Sequence, residues 1–253
     1  MFVAFLLSLL MIGSPVSADS FWQNAAWTTK DGVNIVGLYH PAARSGAYTW
    51  VLLHGYGSTK GEWDDFSRKL AQQGSGILIY DARGHGESQS SVSGEKLDYR
   101  MWGKIEGQPA WPNMAIDLAS AVQMLGKRYS ILEKSIAVGG ASLGANVALV
   151  YAASHSQVPA LILLSPGMEY AGIQSAAPYK SYQGRPVFMA ASPSDAYAYS
   201  SVQQLAGEAP SPAQVVVEGK GGHGVQMFKD QEFTAKLLEW MKGLDGNRNR
   251  RPS

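Results

Sequence analysis

The stretch Ser135-Ile136-Ala137-Val138-Gly139-Gly140-Ala141-Ser142-Leu143-Gly144 decides how this chain folds. A short β-prone run, 135–139, enters paired glycines and reaches a serine. It leaves through small apolar residues, 143–154, that read as a helix. The G-x-S-x-G at 140–144 therefore sits where a strand turns sharply into a helix, which holds Ser142 in a strained, exposed position. The helix start beside it offers unpaired N–H groups and a positive dipole end, where developing negative charge would need support. A plain strand-to-helix junction also favours Gly and Ser, so the motif counts through this context.

Outward from that segment the pattern repeats. Short strands are predicted at 24–29, 33–40, 49–53, 76–80, 160–164, 186–191 and 214–218. Helices are predicted at 61–73, 112–128, 194–205 and 226–242. Wholly apolar strands alternating with helices imply an α/β fold: a mostly parallel, eight-stranded sheet with helices on both faces. The longest irregular stretch is 89–111. No internal repeat or linker divides the chain.

The 253 residues carry 21 basic and 20 acidic side chains, 45% apolar residues and no cysteine. That balance excludes a mainly disordered chain and argues against a nucleic-acid partner. The absent cysteine removes disulfides, thiolate zinc sites and a Cys nucleophile. Residues 2–12 form an apolar run that Gly13-Ser14-Pro15 breaks, and Val16-Ser17-Ala18 has the small residues a signal peptidase needs. The expected organisation is a signal peptide at 1–18, one domain at 19–243 and a flexible basic tail at 244–253. An exported protein, periplasmic or secreted, with no stable membrane span follows from it.

A serine nucleophile needs a base, and the base needs an orienting acid. Of five histidines, His223 in Gly221-Gly222-His223-Gly224 follows the last strand, at the carboxyl edge of the sheet, as Ser142 does. His85 is its rival at that edge. Asp195 follows strand 186–191, with a helix N-cap as its alternative role. Asp81 and Glu218 are rival acids. His54-Gly55-Tyr56-Gly57 follows strand 49–53, and the backbone N–H groups of Tyr56 and Leu143 form the natural oxyanion pair.

At these residues the chain resembles the α/β-hydrolase family. The order Ser142, Asp195, His223 is that family's nucleophile–acid–base order. Asp81-Ala82-Arg83-Gly84-His85-Gly86-Glu87-Ser88 is similar to its D-x-R-G-x-G-x-S segment, a likeness that gives His85 and Asp81 loop-shaping roles. Only residues 165–185 stand where many relatives insert a helical lid, so no large lid domain is expected. In this the chain resembles the compact dienelactone-hydrolase-like members, with Ser in place of their Cys.

The resemblance implies acyl transfer to water through an acyl-serine, with no cofactor and no metal. The expected partner is a small-molecule ester or acyl substrate. A carboxylesterase is the first expectation; a serine aminopeptidase-like peptidase, a thioesterase or a lipase is the second. A non-catalytic hydrolase-fold binding protein is the reading from another class. Trp63, Tyr56, Trp102 and Trp111 are candidate substrate-pocket residues, with core or lid-edge packing as their alternative. Arg100, Lys104 and Lys180 lie in loops near the expected mouth.

Overall fold

The elements come from period-two and period-3.6 apolar patterns meeting across one sheet. A computed structural model of the chain describes residues 21–104, 111, 113–182, 184–209, 211 and 213–248; for 103, 104 and 246–248 it describes the backbone only. The expected signal peptide lies outside these residues.

The strands are β1 (Gln23–Thr28), β2 (Val33–His40), β3 (Thr49–Leu53), β4 (Gly76–Tyr80), β5 (Ile136–Ala141), β6 (Leu161–Leu164), β7 (Val187–Ala191) and β8 (Gln214–Glu218). They run in the order β1-β2-β4-β3-β5-β6-β7-β8. The β1 and β2 strands are antiparallel to their neighbours, and the six from β4 to β8 are parallel. A ninth strand, the two residues Ser90–Ser91, pairs with β2. It falls inside the stretch 89–111 that was expected to be irregular, and two residues are too few for an alternation to be read.

The helices are α1 (Asp64–Ala71), α2 (Met114–Tyr129), α3 (Leu143–Ser154), α4 (Ala176–Tyr182), α5 (Ala196–Glu208) and α6 (Gln231–Arg248). Alternation along the central strands divides the core. Trp50, Leu52, Ile77 and Ile79 face α1 and α6; Val51, Leu53, Leu78 and Tyr80 face α2 and α3. The helix α3 is apolar almost all round and buried along nearly its whole length, as a helix inside a covered sheet must be.

Two helical expectations need correction. The predicted helix 226–242 is a 3-10 turn, Gly224–Lys229, followed by α6. The break is at Asp230, whose Oδ1 accepts the Glu232 N–H at 3.0 Å and so starts a new helix. At its other end α6 continues through Arg248, past the expected start of a flexible tail at 244. Asp245 holds it there: buried, it pairs with Arg44 and accepts the Tyr48 N–H at 3.1 Å.

Between β6 and β7 the described residues form no lid domain. A two-stranded hairpin, Glu169–Tyr170 with Ile173–Gln174, precedes α4. The buried Asn146 amide ties this hairpin to α3, donating to the Gly167 and Ile173 carbonyls and accepting the Gly167 N–H. Among the described residues no helix is long and apolar enough to cross a membrane.

Candidate active site

The carboxyl ends of β3, β5, β6, β7 and β8 meet at one rim. Ser142 lies between β5 and α3 with φ 56° and ψ −124°, a conformation a serine adopts only where its surroundings impose it. Its own N–H is bound to the Leu164 carbonyl at 2.8 Å. The two motif glycines permit the turn by close approach. A Cβ on Gly140 would lie 2.3 Å from the Gly144 carbonyl carbon, and one on Gly144 would lie 2.5 Å from the His54 oxygen. A side chain at Gly140 would push the first turn of α3 off the end of β5, and one at Gly144 would push it off β3.

Asp195 and His223 meet directly. Asp195 Oδ2 accepts from His223 Nδ1 at 2.6 Å. Asp195 also occupies the N-cap position of α5, but its carboxylate makes no capping bond to that helix. The imidazole is 41% exposed and the carboxylate 17%, so the ring is held through Nδ1 and still reaches solvent.

Two serines from the β7 loop brace the histidine loop. Gly221 N–H donates to Ser192 Oγ at 3.1 Å, and Gly222 N–H to Ser194 Oγ at 3.4 Å. On its far side Gly224 N–H donates to Ser165 Oγ at 2.9 Å, from a serine that itself has φ 49°. The acid loop, the base loop and the end of β6 thus form one braced unit.

Ser142 is linked to that unit through Tyr170. The tyrosine hydroxyl lies close enough to the Ser142 side chain to interact with it, and its ring packs edge-on to His223 with centroids 6.4 Å apart. Burial, first, and the nearby Asp195 carboxylate push the Tyr170 phenol well above its usual range, so it stays protonated.

The loop after β3 forms the other wall. Gly55 lies against Ser142: a Cβ on it would be 3.3 Å from the Ser142 Cβ. Gly55 N–H donates to Glu62 Oε1 at 3.0 Å and Gly57 N–H to His85 Nε2 at 3.3 Å. Among the described residues, the N–H groups of Tyr56 and Leu143 have no such acceptor.

The rival residues are committed elsewhere. His85 donates from Nδ1 to the Arg83 carbonyl at 2.9 Å and stacks on Tyr99. His54 donates to the Gly55 carbonyl at 2.7 Å and accepts the Ala82 N–H at 3.0 Å. Burial, with neighbouring His85 adding to it, pushes His54 down to about 4; burial also lowers His85. Asp81 accepts from the Lys60 N–H and ammonium and from the Glu87 N–H. Glu218 accepts from the exposed Tyr199 hydroxyl.

The tryptophan expectations need correction. Trp63 is fully buried in the core against α1 and α6, with its indole N–H on the Leu53 carbonyl at 3.0 Å. It cannot line a pocket. Trp102 and Trp111 pack edge-to-face behind the site. Trp111 is buried at 5% exposure and backs the ring of Tyr56, which is 56% exposed. The aromatic surface at the mouth therefore belongs to Tyr56. Arg100 is paired with Asp98 and Lys180 with Glu208, while the Lys104 side chain lies outside the described ones. Among the described residues no three or more His, Asp or Glu are placed to hold a metal ion.

Five contributors escaped the sequence reading: Glu62, Ser165, Tyr170, Ser192 and Ser194. Gly172 in Tyr170-Ala171-Gly172 is the one local signal, a turn residue that could have marked the hairpin carrying Tyr170.

This rim, with its strained serine at the end of a central strand, defines an α/β hydrolase. Residues 47–207 match the family Hydrolase_4, described as serine aminopeptidase, S33, and the chain belongs to that family.

The fold is shared with solved structures. An esterase from Pyrococcus furiosus superposes with a TM-score of 0.70 at 19% identity, covering 88% of this chain and 91% of its own. Acetyl xylan esterase 1 from Thermoanaerobacterium sp. gives 0.67 at 19% identity, over 89% and 84%. A dienelactone hydrolase from Anabaena variabilis gives 0.64 at 17% identity, over 88% and 97%. A comparison with curated protein sequences finds no match.

Proposed function

We propose that the chain is an exported serine carboxylesterase acting through an acyl-enzyme. The observation that carries the reading is the His223–Asp195 bond at the rim that also holds a strained Ser142. In this reading Ser142 Oγ attacks the ester carbonyl carbon while His223 Nε2 takes its proton. Asp195 holds Nδ1–H and stabilises the imidazolium that forms. The developing oxyanion is met by the N–H groups of Tyr56 and Leu143, each worth about 3–4 kcal/mol in comparable sites. Collapse expels the alkoxide, which takes the proton from His223. Water, deprotonated by the same imidazole, then attacks the acyl-serine, and the second collapse releases the acid and free Ser142.

The ester reading is put before the peptide reading because it asks only for the strained serine, the base and its acid, whereas an aminopeptidase must also bind its substrate's free amino group. The aminopeptidase reading rests on the description of the family that the chain matches. Export is supported by the apolar run at 2–12 and the small residues at 16–18.

The test is hydrolysis of p-nitrophenyl esters from acetate to palmitate by the chain and by Ser142→Ala. Amino-acid anilides and a fluorophosphonate probe are assayed in parallel. Cleavage and labelling that vanish in Ser142→Ala are expected, with the chain-length optimum separating esterase from lipase. Turnover of anilides without esters would install the aminopeptidase reading. Neither turnover nor labelling would leave a binding protein. For export, N-terminal sequencing of protein from an expressing cell should begin at Asp19.

A further inference from the structure

We infer that Glu62 is a positioning residue whose carboxylate sets the oxyanion loop. The inference rests on the esterase reading above and adds a residue to it.

The loop must present one particular N–H, that of Tyr56. The peptide unit joining Gly55 and Tyr56 is planar and trans, so its C=O and N–H point in opposite directions. Its carbonyl is held from two sides, by His54 Nδ1 at 2.7 Å and by the Ser58 N–H at 3.2 Å. With the carbonyl pinned, the Tyr56 N–H is directed the other way. What remains is to stop the loop from sliding along β3, and here Glu62 acts. Its Oε1 accepts the Gly55 N–H at 3.0 Å, and its own N–H donates to the Thr59 carbonyl at 3.1 Å. The Glu62 carboxylate therefore anchors the near end of the segment that carries Tyr56, and its backbone the far end.

The grip is rigid because Glu62 stands on a fixed turn. The 3-10 turn Lys60–Trp63 is tied at its start by the Lys60 N–H to Asp81 at 2.7 Å. At its end, fully buried Trp63 donates to the carbonyl of Leu53, the last residue of β3. Gly55, in turn, lies against Ser142, so a shift of a few tenths of an ångström at Gly55 moves the donor relative to the nucleophile. Glu62 also lies within electrostatic reach of His223, the proposed base. It touches neither substrate nor reacting atom in this arrangement, so its effect is on position.

The experiment compares Glu62→Ala and Glu62→Gln in the full chain. Gln keeps an acceptor for the Gly55 N–H and removes the charge; Ala removes both. Three quantities are read: kcat and KM on a p-nitrophenyl ester, second-order labelling by the fluorophosphonate, and amide hydrogen exchange of residues 55–58.

In Glu62→Ala, kcat should fall about 10- to 100-fold, less than the full loss of an oxyanion donor, with KM within about threefold. Exchange in 55–58 should rise at least about tenfold, and labelling should slow in step with kcat. Glu62→Gln should restore kcat to within about fivefold of wild type, with near-normal exchange. Wild-type kcat and exchange in Glu62→Ala would overturn the inference. So would equal losses in Ala and Gln, because charge rather than the acceptor would then govern the loop. If the wild type neither cleaves nor labels, the esterase reading fails, and amide exchange alone still decides whether Glu62 holds the loop.

Discussion

Two histidine assemblies stand on the same sheet edge and differ in one respect. Around β3 and β4, His54 and His85 are buried, and each has both ring nitrogens bonded, two of the four to backbone groups of their own loops and two to the backbone of the other's loop. Around β7 and β8, His223 has one nitrogen bonded to Asp195 and its other nitrogen at an open, half-exposed rim. A ring with both nitrogens occupied shapes loops; it cannot take a proton from a nucleophile without breaking a bond that holds the fold. A ring with one nitrogen fixed by a carboxylate is oriented and still available. Acid should therefore act on the first assembly through stability, and mutation should act on the second through activity.

The sharpest way to break this comparison is to exchange the fates of His223 and His85. His223→Gln and Ser142→Ala should each lower kcat on the best p-nitrophenyl ester by at least about 10³-fold, with unchanged thermal unfolding. His85→Gln keeps an acceptor for the Gly57 N–H and should lower kcat by less than about tenfold while lowering Tm. If a folded His85→Gln lost as much as His223→Gln, the base would be on the other side of the rim.

Next in size is Asp195→Asn, which holds the ring through the wrong tautomer. A fall in kcat of about 10²- to 10⁴-fold is expected, with KM changed little. Near-normal turnover would return Asp195 to an N-cap and reopen Asp81 and Glu218 as the acid.

These two tests also mark what the sequence made legible. The elbow at 140–144 and the order Ser142, Asp195, His223 were readable because short motifs sat at the ends of apolar strands, and a parallel sheet brings such ends to one edge. The N-cap alternative for Asp195 could not be resolved there, since both roles need the same residue at the same position; only the direction of its carboxylate separates them. Trp63 was misread because a tryptophan next to a glycine loop looks the same whether it points out or in. Its neighbours Phe66 and Leu70, at helical spacing, draw it into the core. Glu62 and Ser165 were not legible, because their partners are backbone N–H groups, which no side-chain pattern records.

The buried assembly has its own signature. His54 has a native value of about 4 against 6.5 for a free imidazole, through burial first. Above about pH 6.5 the ring is neutral folded or unfolded, and it has no effect on stability. As pH falls below 6.5 the unfolded chain gains a proton that the native ring refuses, so stability drops until the native ring titrates near 4. The loss is about 2 kcal/mol by pH 5 and about 3 kcal/mol at its limit. Urea unfolding at pH 7, 6 and 5 should show this decline. His54→Gln, which retains an acceptor for the Ala82 N–H, should flatten it. An equal decline in the variant would mean that other groups carry the acid sensitivity.

The smallest expected effect lies at the contact between the open assembly and its roof. The Tyr170 phenol lies close enough to the Ser142 side chain to interact with it and stays protonated, so a bond between the two would compete with the proposed base for the same nucleophile. If that bond only parks the serine, removing it should speed the first attack. If the phenol instead donates to the serine oxygen or to the departing alkoxide, removing it should slow turnover. The braced hairpin favours the second outcome. Its ties through Asn146, and from the Met168 N–H to Ser201 at 3.0 Å, keep the ring in place rather than free to swing away. Tyr170→Phe should therefore lower kcat/KM about three- to tenfold, a loss of the size of one neutral hydrogen bond. The loss should be larger for alkyl esters than for p-nitrophenyl esters, whose leaving group needs less help. Faster fluorophosphonate labelling of Tyr170→Phe would show that the hydroxyl restrains Ser142, and would make the hairpin a brake on the open site.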